Sequence, residues 1–179
     1  VDATTIQQWI EQLANEVVSA DLGEFIFVGI VRGGDTLAHR LSTLIAQKTR
    51  YVSPVYHIDI TLYRDDLYTG LEYPTFGGSE LPLTVEGKRI VLVDDVIFTG
   101  RTIRSAIQEV MDYGRPEWIK LLVLVDRGSR ELPIQPDFVA HTLVCPKSAK
   151  VQISLKDDNV EADLESKVDA MVVEEGAYE

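Results

Sequence analysis

Residues Ile90–Ala106 read IVLVDDVIFTGRTIRSA. Four consecutive apolar residues, Ile90 to Val93, predict a strand buried on both faces, with Asp94 and Asp95 at the point where it emerges into solvent. Thr99-Gly100-Arg101-Thr102 follows as a short turn carrying two hydroxyls and one glycine. Beyond it Ile103, Ile107, Val110 and Met111 recur at helical spacing on one face. The order is strand, acidic tip, turn, helix. Backbone N–H groups at a helix start, the positive end of its dipole and the hydroxyls of Thr99 and Thr102 together make an anion site that fits a phosphate monoester.

Two carboxylates beside an anion cradle need a reason, because they repel phosphate. They must meet another part of the same ligand, either sugar hydroxyls that donate hydrogen bonds or a bound Mg²⁺. A ribose 5-phosphate has both halves. An apolar strand, Asp-Asp and then Thr-Gly-x-Thr resembles the phosphoribosyl-pyrophosphate (PRPP) motif of the type I phosphoribosyltransferases. Competing signatures are missing. Gly87-Lys88 is followed by Arg89 and has Pro82 where a P-loop needs its first glycine. No G-x-S-x-G, H-E-x-x-H or C-x-x-C is present, which removes the local signatures of serine hydrolases, zinc proteases and thioredoxin-like redox sites.

The 179 residues suit one domain, residues 1–179, with 45% hydrophobic and 26% charged residues, as in ordinary globular proteins. No apolar run approaches the roughly 20 residues of a membrane helix and no secretory signal is visible, so a cytoplasmic protein without membrane contact is expected. Cys145, the one cysteine, cannot form an internal disulfide and reads as a structural thiol. Seventeen Lys and Arg against 29 Asp and Glu give a net charge of −12. Such a chain repels nucleic acid in general, so a polyanionic ligand needs a local positive patch.

From the start of the chain, Ile6, Trp9, Ile10, Leu13 and Val17 predict a packing helix over residues 2–18, capped by Asp2 or Thr4. Phe25–Ile30 predicts a strand running into Val31-Arg32-Gly33-Gly34-Asp35, then a helix marked by Leu37, Leu41, Leu44 and Ile45. Paired glycines allow close ligand approach, and Arg32 supplies charge for phosphate oxygens. Val52–Leu62 predicts a strand with Tyr56, Ile58, Ile60 and Leu62 on one face. After Tyr63-Arg64-Asp65-Asp66, a stretch with no periodicity, about 63–85, reads as a flexible loop able to act as a lid. Trp118–Val125 is a further buried strand, ending in Asp126-Arg127-Gly128. Pro133, Pro136 and Pro146 punctuate Phe138–Leu143 in a small hood, about residues 132–155. Val151–Leu155 and Ala170–Val173 read as final strands, with Asp157 to Asp163 a solvated acidic turn. The alternation predicts an α/β fold with a mostly parallel, twisted sheet flanked by helices and ligands at the strands' C-terminal edge.

DITLYRDDL at Asp59–Leu67, the PRPP motif, and VLVDRGSRELP at Val123–Pro133 resemble one branch of the type I phosphoribosyltransferases, the pyrimidine-operon attenuation regulators that double as uracil phosphoribosyltransferases. That resemblance implies the type I fold with a small C-terminal hood. It also implies that Asp94 and Asp95 hold ribose hydroxyls and that Phe98, Thr99, Gly100, Arg101 and Thr102 enclose the 5′-phosphate, within a substrate-binding run that includes Val96 and Ile97. Arg32 and Gly33 would hold pyrophosphate, Arg127 and Val151 would line the nucleotide site, and Arg64, Asp65 and Asp66 would begin the lid. Asp94, Asp95, Arg32 and Arg64 are the implied catalytic residues. Mg²⁺ would be carried mainly by PRPP, and the partners would be PRPP, uracil, UMP, pyrophosphate, messenger RNA and further copies of the chain.

Two departures keep alternatives open. Arg32-Gly33-Gly34 resembles the loop of xanthine-guanine salvage enzymes, and Pro136-Asp137-Phe138-Val139 adds to a purine-base reading. Ser129, Gln135 and His141 stand where the branch usually has histidine, arginine and lysine, which lowers the expected RNA affinity. A nucleotide-sensing RNA-binding regulator with little catalysis is the remaining alternative. His39 is expected on a helix surface and His57 within a strand, and His141, in the hood, is the one histidine placed for base or RNA contact.

Overall fold

The structure, a computed structural model, describes residues 1–60, 78–156 and 169–174. Strands β1 (Ile26–Ile30), β2 (Val55–Ile58), β3 (Arg89–Ile97), β4 (Trp118–Asp126) and β5 (Phe138–Thr142) form one parallel sheet in the order β2-β1-β3-β4-β5. Helices α1 (Ala3–Ser19) and α2 (Gly34–Thr49) pack on one face and α3 (Arg101–Asp112) on the other. Both faces are therefore covered, and the period-2 geometry of β3 divides its side chains between them. Val91 and Val93 meet α1 and α2, while Ile90 and Leu92 meet α3.

The first helix follows its sequence pattern. Asp2 accepts from the backbone N–H of Thr5 at 2.9 Å, and Ile6, Ile10, Leu13 and Val17 are buried. Trp9 is half-buried on the same helix and stacks on His141 of β5, ring centroids 4.5 Å apart. That stack engages His141 in packing against α1.

The strands differ from the sequence expectation in three places. β3 does not stop at the aspartates: it runs through Asp94 and Asp95 to Ile97, with Val96 paired to Val125 and Ile97 to Asp126. Asp94 is buried at 5% exposure. β2 is four residues long; Val52 is exposed and Pro54 precedes the ladder, while Ile60 is buried beyond the strand's end. Leu62 lies outside the described residues. Phe138–Thr142 does not form a hood strand: it is the fifth strand of the main sheet, pairing Leu122 with Phe138 through Asp126 with Thr142. β6 (Lys150–Ser154) and β7 (Ala170–Glu174) form a separate antiparallel pair, tied to the helices by Arg40, which donates to Asp169 and to Gln7, each at 2.6 Å. On α3, Ile103 and Val110 are buried, but Met111 is 53% exposed.

Asp59 and Ser79 stand on either side of residues 61–77, and they are joined: the N–H of Asp59 donates to the Ser79 hydroxyl at 3.0 Å. That hydroxyl donates to Glu109 of α3, whose carboxyl is pushed up by burial and by the charges of Asp59 and Asp112. Arg64, Asp65 and Asp66, the greater part of the expected loop, and Asp157 to Asp163 lie outside the described residues. No helix among the described residues is long and apolar enough to cross a membrane.

Candidate active site

Because the sheet is parallel, the C-terminal ends of β1, β3 and β4 open on one edge, and three connections meet there. They are the Val31–Gly34 loop, the Asp94–Thr102 run and the segment from Asp126 onward.

The first two are in direct contact. A Cβ at Gly34 would lie 2.3 Å from the carbonyl oxygen of Val93, and one at Gly33 would lie 2.7 Å from Oδ2 of Asp95. No side chain fits either place. Gly33 also has φ of 100°, in the region that favours glycine, and its N–H donates to Oδ1 of Asp35 at 3.0 Å. Arg32 is exposed at the loop's tip. The expected pyrophosphate loop thus lies against one of the two expected ribose-binding carboxylates.

The aspartates point to different neighbours. Asp94 accepts from the N–H of Asp95 at 3.0 Å and lines a cavity of about 630 Å³ with Val96, Thr99, Gly100 and Thr102. Asp95 accepts from the N–H of Val96 at 2.8 Å. Burial, with the charge of Asp35 adding to it, pushes the Asp95 carboxyl up to about 6. It is still mostly ionised at neutral pH, at the cost of an unfavourable environment.

The cavity's far wall is the turn before α3. Gly100 takes φ of 91° and supplies no side-chain cap, which leaves the helix N-terminus bounded by Thr99, whose hydroxyl accepts from the N–H of Arg101 at 3.3 Å. Hydroxyl, glycine and helix start lie in one place, the arrangement that the sequence reading expects of an anion site. Arg101 itself turns aside and donates to Glu131 at 2.8 Å. Hydrogen bonds from Arg101 and Lys147 hold the Glu131 carboxyl below the usual range.

Arg127 takes a position that the sequence did not disclose. It is 6% exposed, stacks its guanidinium 4.0 Å from the ring centre of Phe98, and donates to the carbonyls of Ala149 at 2.6 Å and Pro146 at 3.0 Å. It thereby fastens the 146–149 segment, and so the approach to half-buried Val151 on β6, to the turn at Phe98. Asp137, a reason for the purine-base reading, is engaged elsewhere: it accepts from the N–H of Leu121 at 2.8 Å and from Lys120 at 3.1 Å. Leu121 is five residues before the end of β4, roughly 16 Å from the site edge.

A parallel sheet brings an acidic pair, a glycine loop and a helix start to one edge, as expected of the phosphoribosyltransferase class, and residues 2–156 match the family described as Phosphoribosyl transferase domain. A solved hypoxanthine phosphoribosyltransferase of Trypanosoma cruzi shares the fold, with a TM-score of 0.68 and 16% identity over 98% of this chain and 95% of that one. The chain is 46% identical over 154 residues to a protein of Synechocystis named bifunctional protein PyrR, covering 85% of this chain and 86% of the relative. A protein of the same name from Geobacter is 41% identical over 161 residues, covering 89% and 91%. The chain belongs to the phosphoribosyltransferase family, in the branch that carries the PyrR name.

Proposed function

We propose that this chain converts uracil and PRPP to UMP and pyrophosphate, and that it also acts as a UMP-responsive regulator through messenger RNA. The observation that carries the catalytic half is the close approach of the Gly33 loop to Asp95, next to Asp94, which lines one cavity with Thr99, Gly100 and Thr102. It supports a reading in which pyrophosphate, ribose and 5′-phosphate of one PRPP molecule lie side by side along this edge.

In this reading the 5′-phosphate sits on the N–H groups at the start of α3 and the hydroxyls of Thr99 and Thr102. Asp94 and Asp95 accept hydrogen bonds from the ribose hydroxyls and offset the positive charge that builds on the sugar as pyrophosphate departs. Arg32 stabilises the leaving group, and Arg64 is assigned to the same task. Mg²⁺ would be carried mainly by the oxygens of PRPP. Bound there, Mg²⁺ neutralises diphosphate charge. No protein nucleophile is needed, since the site mainly positions the sugar and stabilises charge. Arg127 serves the base side by fixing the 146–149 carbonyls. A cytoplasmic location and assembly into dimers or larger oligomers belong to the same reading.

The test is to supply PRPP and Mg²⁺ with each free base in turn and measure the nucleotide formed. Uracil is expected to give UMP; conversion of xanthine, guanine or hypoxanthine without uracil would overturn the assignment. The regulatory half is supported by the name bifunctional on the relatives. With a net charge of −12, RNA binding requires a local patch, and binding to a pyrimidine-operon leader across a salt series tests it.

A further inference from the structure

A turn that binds phosphate must present N–H groups to the anion and keep its carbonyl oxygens away, because those oxygens carry negative partial charge. The two carbonyls that lead into the turn before α3 are those of Phe98 and Thr99, and both are held by one segment. The Thr99 oxygen accepts from the N–H groups of Glu131, at 2.9 Å, and Leu132, at 3.2 Å. The Phe98 oxygen accepts from Nη1 of Arg130 at 2.9 Å.

Arg130 has a rigid footing for this. Its Nε donates to the carbonyl of Ile134 at 2.9 Å and its Nη2 to Oδ2 of Asp126, at the end of β4, at 2.6 Å. Nη1 also reaches the Gly128 carbonyl at 3.4 Å. The side chain is 12% exposed and that of Asp126 is 16% exposed. Four acceptors spread around Nε, Nη1 and Nη2 suit the planar fork of a guanidinium, and the three donors of one ammonium, all on a single nitrogen, cannot meet them all. The part of the Asp126–Leu132 sequence that the catalytic assignment left unused therefore has a task.

We propose that Arg130 is a positioning residue for the 5′-phosphate: it touches no substrate atom, and it holds the Phe98 carbonyl on the side of the turn away from the anion. The proposal rests on the reading of the 98–102 turn as the phosphate site. Without Arg130 the Phe98–Thr99 peptide is free to rotate and bring an oxygen toward the phosphate.

Calorimetric titration of the full chain with UMP and with uridine isolates what the phosphate contributes, as the ratio of the two affinities. Arg130→Lys keeps the charge opposite Asp126 but not the fork. It is expected to lose about tenfold or more of the preference for UMP, the worth of one hydrogen bond from a charged donor, with uridine affinity unchanged. Asp126→Asn removes the ion pair and leaves the Phe98 contact, and is expected to keep the preference within about twofold. Arg130→Lys with the preference intact overturns the proposal. An equal loss in both variants also overturns it, by placing the effect in the ion pair. A wild-type chain with no preference for UMP over uridine overturns the phosphate-site reading and the proposal with it, so the two failures are distinguishable.

Discussion

Replacing Asp95 with asparagine will stabilise the folded chain above pH 6 and suppress its turnover. Burial is the largest cause that raises this carboxyl from 3.8 to about 6, and the charge of Asp35 adds to it. In the unfolded chain the group titrates near its ordinary value. Between those two pH values the folded protein therefore retains a proton that the unfolded chain has released, and stability falls as pH climbs from about 4 to about 6. Above that window the full penalty applies. A shift of this size corresponds to at most about 3 kcal/mol. Asparagine keeps an oxygen to accept from the N–H of Val96 but weakens that bond, so the expected net gain at pH 8 is about 1–2 kcal/mol. The same substitution removes a charged acceptor from a ribose hydroxyl, worth about 10- to 100-fold in rate. Urea midpoints at pH 8 and pH 4.5, with UMP formation measured at pH 8, check both halves. A variant less stable than wild type at pH 8, or equally stabilised at both pH values, refutes the burial argument. Undiminished turnover refutes the ribose role.

The Gly33→Ala variant places a methyl 2.7 Å from Oδ2 of Asp95 in a backbone conformation that disfavours side chains, and its kcat/KM is expected to fall about tenfold or more in steady-state assays. Arg40→Ala breaks the 2.6 Å bonds to Asp169 and Gln7 and should cost about 1–3 kcal/mol in urea unfolding. Lys147→Ala, at a 66% exposed side chain paired with Glu131, should cost under about 0.5 kcal/mol in the same assay. A chelator is expected to stop UMP synthesis while calorimetry still detects UMP binding, because the cradle before α3 is built from backbone and hydroxyl groups; loss of both together would place a metal in the phosphate site.

The succession of strands, the three helices of the described residues and the strand-turn-helix course of Ile90–Ala106 were legible from periodicity and motif. What escaped had physical causes. Asp-Asp reads as a strand end because charge is costly to bury, yet β3 continues through both residues, Asp94 buried and Asp95 half-buried, each accepting one neighbouring backbone N–H. Phe138–Thr142 reads as a hood because prolines flank it and its residues are half polar; as an edge strand it tolerates both. The stack of Trp9 on His141 joins residues far apart in sequence, which local pattern cannot reveal. From sequence, Arg127 is expected to line the nucleotide site and Arg130 carries no assignment of its own. Their partners are carbonyl oxygens of distant segments, which no residue letter records.

The central claim is that one ligand's phosphate and sugar occupy the two halves of this edge. A crystal structure of the chain with UMP tests it most directly. The account predicts phosphate oxygens on the N–H groups of residues 100–102 and ribose hydroxyls on the carboxylates of Asp94 and Asp95. UMP bound elsewhere, or bound with its phosphate away from the start of α3, contradicts it.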